Sequence, residues 1–138
     1  MNTKDNTIRA LEMIQSIISR MANNSFALKG WAVTLVVGIF ALSSKDTEKI
    51  FGLFAFAPVI LFWFLDAFYL RKERQYRNLY NWTRKQPEDN IDFDMNVERS
   101  ELKSKDVNYC NCLFSKSELF FYLPLGLLTL LIIILSFL

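Results

Sequence analysis

Lys29 and Asp66 are charged side chains set inside otherwise apolar stretches of this 138-residue chain. Lys29 stands about four residues inside the start of the first stretch, and Asp66 about four residues inside the end of the second. If those stretches are antiparallel helices in a bilayer, the two groups lie at similar depth. An unpaired charge there costs a few kcal/mol, less if the side chain snorkels to the interface. The expected chemistry is an intramembrane ion pair, Lys29–Asp66, that locks a helical hairpin. Independent snorkelling of Lys29 and a gate or ion-path role are the other readings.

Other reactive residue types are sparse. The chain has no histidine, which removes the usual general base at neutral pH and the commonest metal ligand. Cys110 and Cys112 form a lone Cys-x-Cys, half of the four ligands a tetrahedral zinc site needs. Two reduced structural thiols are expected, with a site shared across subunits as the alternative. Asp92-x-Asp94-x-Asn96 resembles the opening of a calcium loop. Val97 stands where that loop needs glycine, and Lys103 where it needs a bidentate glutamate. No phosphate loop, dinucleotide glycine motif or catalytic triad pattern is present. No catalytic residue, metal or cofactor is expected, and the chain is not expected to be an enzyme.

The elements that would position the pair are plain. Apolar stretches run over Phe26–Ser44, Ile50–Leu70 and Leu119–Leu138, and the last has twenty residues without a charge. That matches the roughly 20-residue helix needed to cross a hydrocarbon core. The expected fold is an all-α integral membrane protein: three transmembrane helices, an N-terminal amphipathic helix and a small cytoplasmic segment. Four units follow. Residues 1–24 form a cytoplasmic amphipathic helix, 25–70 a transmembrane hairpin, 71–117 a cytoplasmic basic helix with an acidic loop or short strand, and 118–138 the third span.

Within the first unit Ile8, Leu11, Ile14, Ile18 and Met21 follow helical spacing. This stripe would lie on the membrane surface, pack on the other cytoplasmic helix, or mediate oligomerisation. Asn23-Asn24-Ser25 is expected to interrupt the helix and cap the next. Residues 1–25 lack the uninterrupted apolar core of a signal peptide, so the first span is expected to stay as an anchor. Pro58 is expected to kink the second span near Phe54, and Pro124 and Gly126 to bend the entry of the third.

Charge sets the expected orientation. Residues 71–117 carry ten Lys and Arg, residues 1–29 carry four, and the short 45–49 loop carries two. The positive-inside rule then places residues 1–29 and 71–117 in the cytoplasm and the C-terminus on the far side of the membrane. Overall the chain holds 16 basic and 14 acidic residues, so no global field points to nucleic acid.

Three further groups are candidate surfaces. Gly30, Thr34 and Gly38 repeat every four residues and would make a groove for close helix packing, either with the second span or with a neighbouring subunit. Arg71, Lys72, Arg74, Arg77, Arg84 and Lys85 lie on a helix continuing out of the membrane to about Pro87. They are candidates for lipid headgroups or an anionic cytosolic ligand. Ile91, Phe93, Met95 and Val97 alternate with polar residues and read as a short strand. A lone strand is unstable, so it would pair with another copy or lie on the basic helix.

Two stretches carry a resemblance. One is Arg20–Val36, RMANNSFALKGWAVTLV. The other is Leu65-Asp66-Ala67-Phe68-Tyr69-Leu70 followed by Glu73, Tyr76, Arg77, Leu79 and Tyr80. They look like small multi-span bacterial membrane proteins. The plan of an N-terminal helix, a tight hairpin and a cytoplasmic helix is similar to the SLATT and related two-helix effector domains of anti-phage systems. The resemblance covers roughly residues 8–85; the third span departs from it. It implies an oligomeric effector that perturbs the membrane, with the lipid bilayer, further copies of the chain and a cytosolic signalling partner as its contacts. The alternative is an accessory subunit that anchors a cytosolic or membrane partner. A holin, a transporter and a membrane enzyme fit the residues less well.

Overall fold

The computed structural model describes residues 3–43, 49–87, 91 and 93–138. Helix α1 runs over Thr3–Ser43, α2 over Phe56–Thr83, α3 over Tyr109–Leu113 and α4 over Lys116–Phe137. A 3₁₀ segment, Lys49–Ala55, leads into α2, and two 3₁₀ turns, Ser100–Leu102 and Lys105–Val107, lie between α2 and α3. No strand occurs among the described residues. Three of these segments, Lys4–Ser43, Gly52–Thr83 and Lys116–Phe137, are long and apolar enough to cross a membrane. The tip of the first hairpin, residues 44–48, lies outside the described residues.

Helix α1 corrects one expectation. The amphipathic segment and the first span are a single helix of 41 residues, about 60 Å long at 1.5 Å per residue. Asn23-Asn24-Ser25 does not interrupt it. Asn and Ser in a helix interior cost only tenths of a kcal/mol each, and Ser25 is held there by a hydrogen bond to Asp66.

Pro58 sits in the first turn of α2, a position where a proline is well tolerated, and the helix changes from 3₁₀ to α between Ala55 and Phe56, just ahead of it. At the other end α2 continues past the apolar stretch to Thr83, and the chain turns through Arg84 and Lys85, whose N–H groups donate to the Tyr80 and Trp82 carbonyls at 3.0 Å each.

The expected strand is the second correction. Around Asp94–Glu98 the backbone folds on its own side chains. Asn96 N–H donates to Asp94 Oδ1 and Glu98 N–H to Asn96 Oδ1, both at 3.0 Å. Such Asx turns compete with strand pairing. Phe93 is exposed and Ile91 half-buried, while Met95 and Val97 pack on a core. Asp92 lies outside the described residues.

Two apolar cores result. The polar head is built on Ile14 and Ile18 of α1, Leu79 of α2 and Leu102, with Tyr76, Tyr80, Trp82, Met95 and Val97 around them. The amphipathic stripe of α1 thus covers the outer half of α2. The second core lies between the three apolar helices: Ala32 and Val36 of α1, Val59 of α2 and Tyr122 of α4, with Phe40, Phe62, Trp63, Phe121 and Leu125 packed on them.

Candidate functional site

Ser25, Lys29, Ala32 and Val36 recur at helical spacing and form the inner face of α1. Val59, Phe62 and Asp66 do the same on α2. On α4 the inner face is Glu118, Tyr122, Leu125, Thr129 and Ile133. Where the three faces meet, at the junction of the apolar core and the polar head, their polar members converge.

Lys29 Nζ donates to Asp66 Oδ2, and at 3.2 Å to both Glu118 Oε1 and Ser25 Oγ. Ser25 Oγ donates to Asp66 Oδ1. Tyr122 Oη donates to Asp66 Oδ2 at 3.0 Å, with the Phe62 carbonyl at 3.3 Å as a second acceptor. Asp66 and Glu118 are both fully buried. The rings of Phe121 and Tyr122 lie 5.8 Å from the ammonium, close enough for cation–π attraction. One side of the cluster is sealed by Trp63, which stacks on Tyr122 and meets Phe114 edge-on. Trp63 Nε1 also donates to the Leu113 carbonyl at 3.0 Å, pinning α3 to α2.

Glu118 and Tyr122 were not among the residues singled out by sequence. The signal for Glu118 was present. Ser115-x-x-Glu118 is a capping box, and the Ser115 side chain does accept from Glu118 N–H at 3.4 Å. The glutamate carboxylate turns to Lys29 instead of back to the cap. Its second oxygen, Oε2, is buried with no hydrogen-bond partner.

The remaining candidates are spread apart. Gly30, Thr34 and Gly38 face outward. A side-chain carbon added at Gly30 or Gly38 would meet nothing within 4 Å, so the stripe takes no part in packing within the chain. Arg71 Nε and Arg74 Nη1 donate to the carbonyls of Val107 and Asp106 at 3.1 and 2.9 Å. They clamp the return segment onto α2. Arg77 pairs with Glu73 at 2.7 Å, Lys72 lies over the Phe68 ring, and Arg84 and Lys85 are exposed.

Both cysteines are free thiols, Cys110 exposed and Cys112 buried. Cys112 Sγ lies 3.8 Å from Arg74 Nη1 and 3.6 Å from the Asp106 carbonyl, and burial pushes its thiol above the ordinary range. Tyr109 donates to the Phe64 carbonyl at 2.7 Å, and burial raises its phenol too.

No protein-family model matches the chain, and comparison with curated proteins and with solved structures likewise gives no match.

Proposed function

We propose that the chain is a bacterial inner-membrane protein, its N-terminus and polar head in the cytoplasm, that works as a homo-oligomer to perturb the membrane, as an effector of anti-phage defence would. The observation that carries this reading is the outward stripe Gly30, Thr34, Gly38. Small residues at this spacing let helices of separate chains approach closely in lipid. Within one copy Ser25, Lys29, Asp66, Glu118 and Tyr122 are turned on each other, and three spans are too few to enclose a pore. Any breach of the bilayer therefore needs several copies. The orientation follows from the ten basic residues of 71–117.

The test is the particle mass of the full chain in nanodiscs together with dye release from vesicles. The reading expects a ring of several copies and release that scales with assembly. Monomers that leave vesicles sealed under every condition would overturn it.

A second reading, a membrane anchor for a cytosolic partner, is supported by a groove of about 500 Å³ on the head. It lies between α2 and the return segment, and its lining includes Arg71, Gln75, Lys103 and Asn108. A stoichiometric partner copurifying with sealed vesicles would favour this reading over the first.

A further inference from the structure

The cluster at the meeting point of the three helices contains one ammonium and two carboxyl groups. If all three were ionised, a net negative charge would be enclosed among Trp63, Phe121, Tyr122 and the apolar faces around them, a costly state for a buried group. The hydrogen bonding distinguishes the two acids. Asp66 accepts from Lys29, Ser25 and Tyr122, the surroundings of an ionised carboxylate. Glu118 accepts from Lys29 on Oε1 alone, at 3.2 Å, and Oε2 is buried without a partner.

We propose that the Lys29–Asp66–Glu118 cluster is a proton-binding site, with the proton held by Glu118. Binding forms one O–H bond at the Glu118 carboxyl and breaks none within the protein. The proton comes from water on the side of Lys29, whose side chain keeps 17% of its surface exposed. Protonated, the site holds one ammonium and one carboxylate and is neutral. Deprotonated, it carries an excess negative charge shared between α2 and α4. The titratable groups whose charge bears on Glu118 are Lys29 from α1, Asp66 from α2, Cys112 from α3 and Tyr122 from its own helix, Lys29 in direct contact at 3.2 Å. Lys29 is the cation among them. Loss of the proton therefore sets two carboxylates in competition for one ammonium, and this acts on the docking of α4 against the α1–α2 hairpin. The proposal stands apart from the oligomer reading, since it concerns a single copy.

The test is infrared difference spectroscopy of the full chain in lipid during a pH titration. At neutral pH the wild type should show the carbonyl stretch of a protonated carboxylic acid, and lose it on the alkaline side. Glu118→Gln should abolish that band. The variant keeps the shape of the protonated acid, so it should retain wild-type helix content and melting temperature at neutral pH. Asp66→Asn removes the excess charge, so Glu118 should ionise and the band should again disappear. Absence of the band in the wild type at neutral pH would overturn the proposal, and would leave Oε2 to a bound water. Persistence of the band in Glu118→Gln or in Asp66→Asn would overturn it as well. So would a large drop in the melting temperature of Glu118→Gln at neutral pH, since the loss of an ionised partner of Lys29 would produce one.

Discussion

Lys29 and Glu118 are 89 positions apart in the chain, yet the lysine Nζ lies 3.2 Å from the glutamate Oε1. With Asp66 on the other side of the ammonium, one side chain of α1 ties together all three helices that are long enough to span a membrane. Removing the shared member is therefore more damaging than removing either acid. Lys29→Met should destabilise the chain by about 3–5 kcal/mol, the usual cost of stranding a buried partner. The double variant Lys29→Met/Asp66→Asn should recover part of that loss. Unfolding of the purified protein in mixed micelles measures both. Equal stability of wild type and Lys29→Met would show that the pair does not lock the helices.

The outward stripe on α1 separates folding from assembly. Gly30→Ala and Gly38→Ala meet open space and remove a glycine from a helix interior, so each should stabilise the helix by about 0.5–1 kcal/mol. Gly38→Leu should likewise leave the monomer folded, but should lower the particle mass in nanodiscs if this stripe is where copies meet. An unchanged mass would move the interface to another face.

Cys110 and Cys112 are two residues apart and differ in accessibility. A membrane-impermeant maleimide should label Cys110 in the folded protein and leave Cys112 untouched until the head unfolds. Burial raises the Cys112 thiol, so at a given pH less of it is the reactive thiolate. Mass spectrometry of labelled peptides reads the ratio. Equal labelling of both would mean that the head opens readily.

The 94–99 turn has its own pH response. Arg99 Nη2 donates to Asp94 Oδ2 at 2.6 Å, and this holds the Asp94 carboxyl below its ordinary value. A lowered acid stabilises its fold above the unfolded value, and that contribution disappears as pH falls through the folded one. Amide exchange around Asn96 and Glu98 should therefore quicken in acid, and Asp94→Asn should flatten the dependence. Asp94 is on the surface, so the global melting temperature should scarcely move.

In the head, Leu79 is buried against Ile14, Ile18 and Leu102. Leu79→Ala should cost about 2–5 kcal/mol, loosening the N-terminal part of α1 first. Protease sensitivity of α1 before and after the substitution gives the check.

Much of this architecture is legible in the residues because long apolar runs leave few choices. Three long apolar runs must be helices, and a lysine and an aspartate at matched depth must find partners. Glu118 was missed for a local reason. Counting the third run from Leu119 makes its neighbour a flanking charge, whereas the capping serine at 115 already places Glu118 inside the helix. The break at Asn23-Asn24-Ser25 was misjudged because weak local preference lost to the hydrogen bond between Ser25 and Asp66. Alternation at Ile91, Phe93, Met95 and Val97 describes two side chains reaching a core equally well whether the backbone is a strand or a pair of Asx turns. Only the capacity of Asp94 and Asn96 to accept from the backbone two residues on separates the two cases.

The unbroken course of α1 has a mechanical consequence. The head grips its longer N-terminal arm through Ile14 and Ile18, and Lys29 is clamped where the apolar arm begins. With no hinge between them, a sideways push on the head becomes a tilt of the apolar half, pivoting at the clamp. The arms are unequal, with 26 residues before Lys29 and 14 after it. Whatever touches the head therefore acts on a lever whose shorter arm packs Ala32 and Val36 into the apolar core.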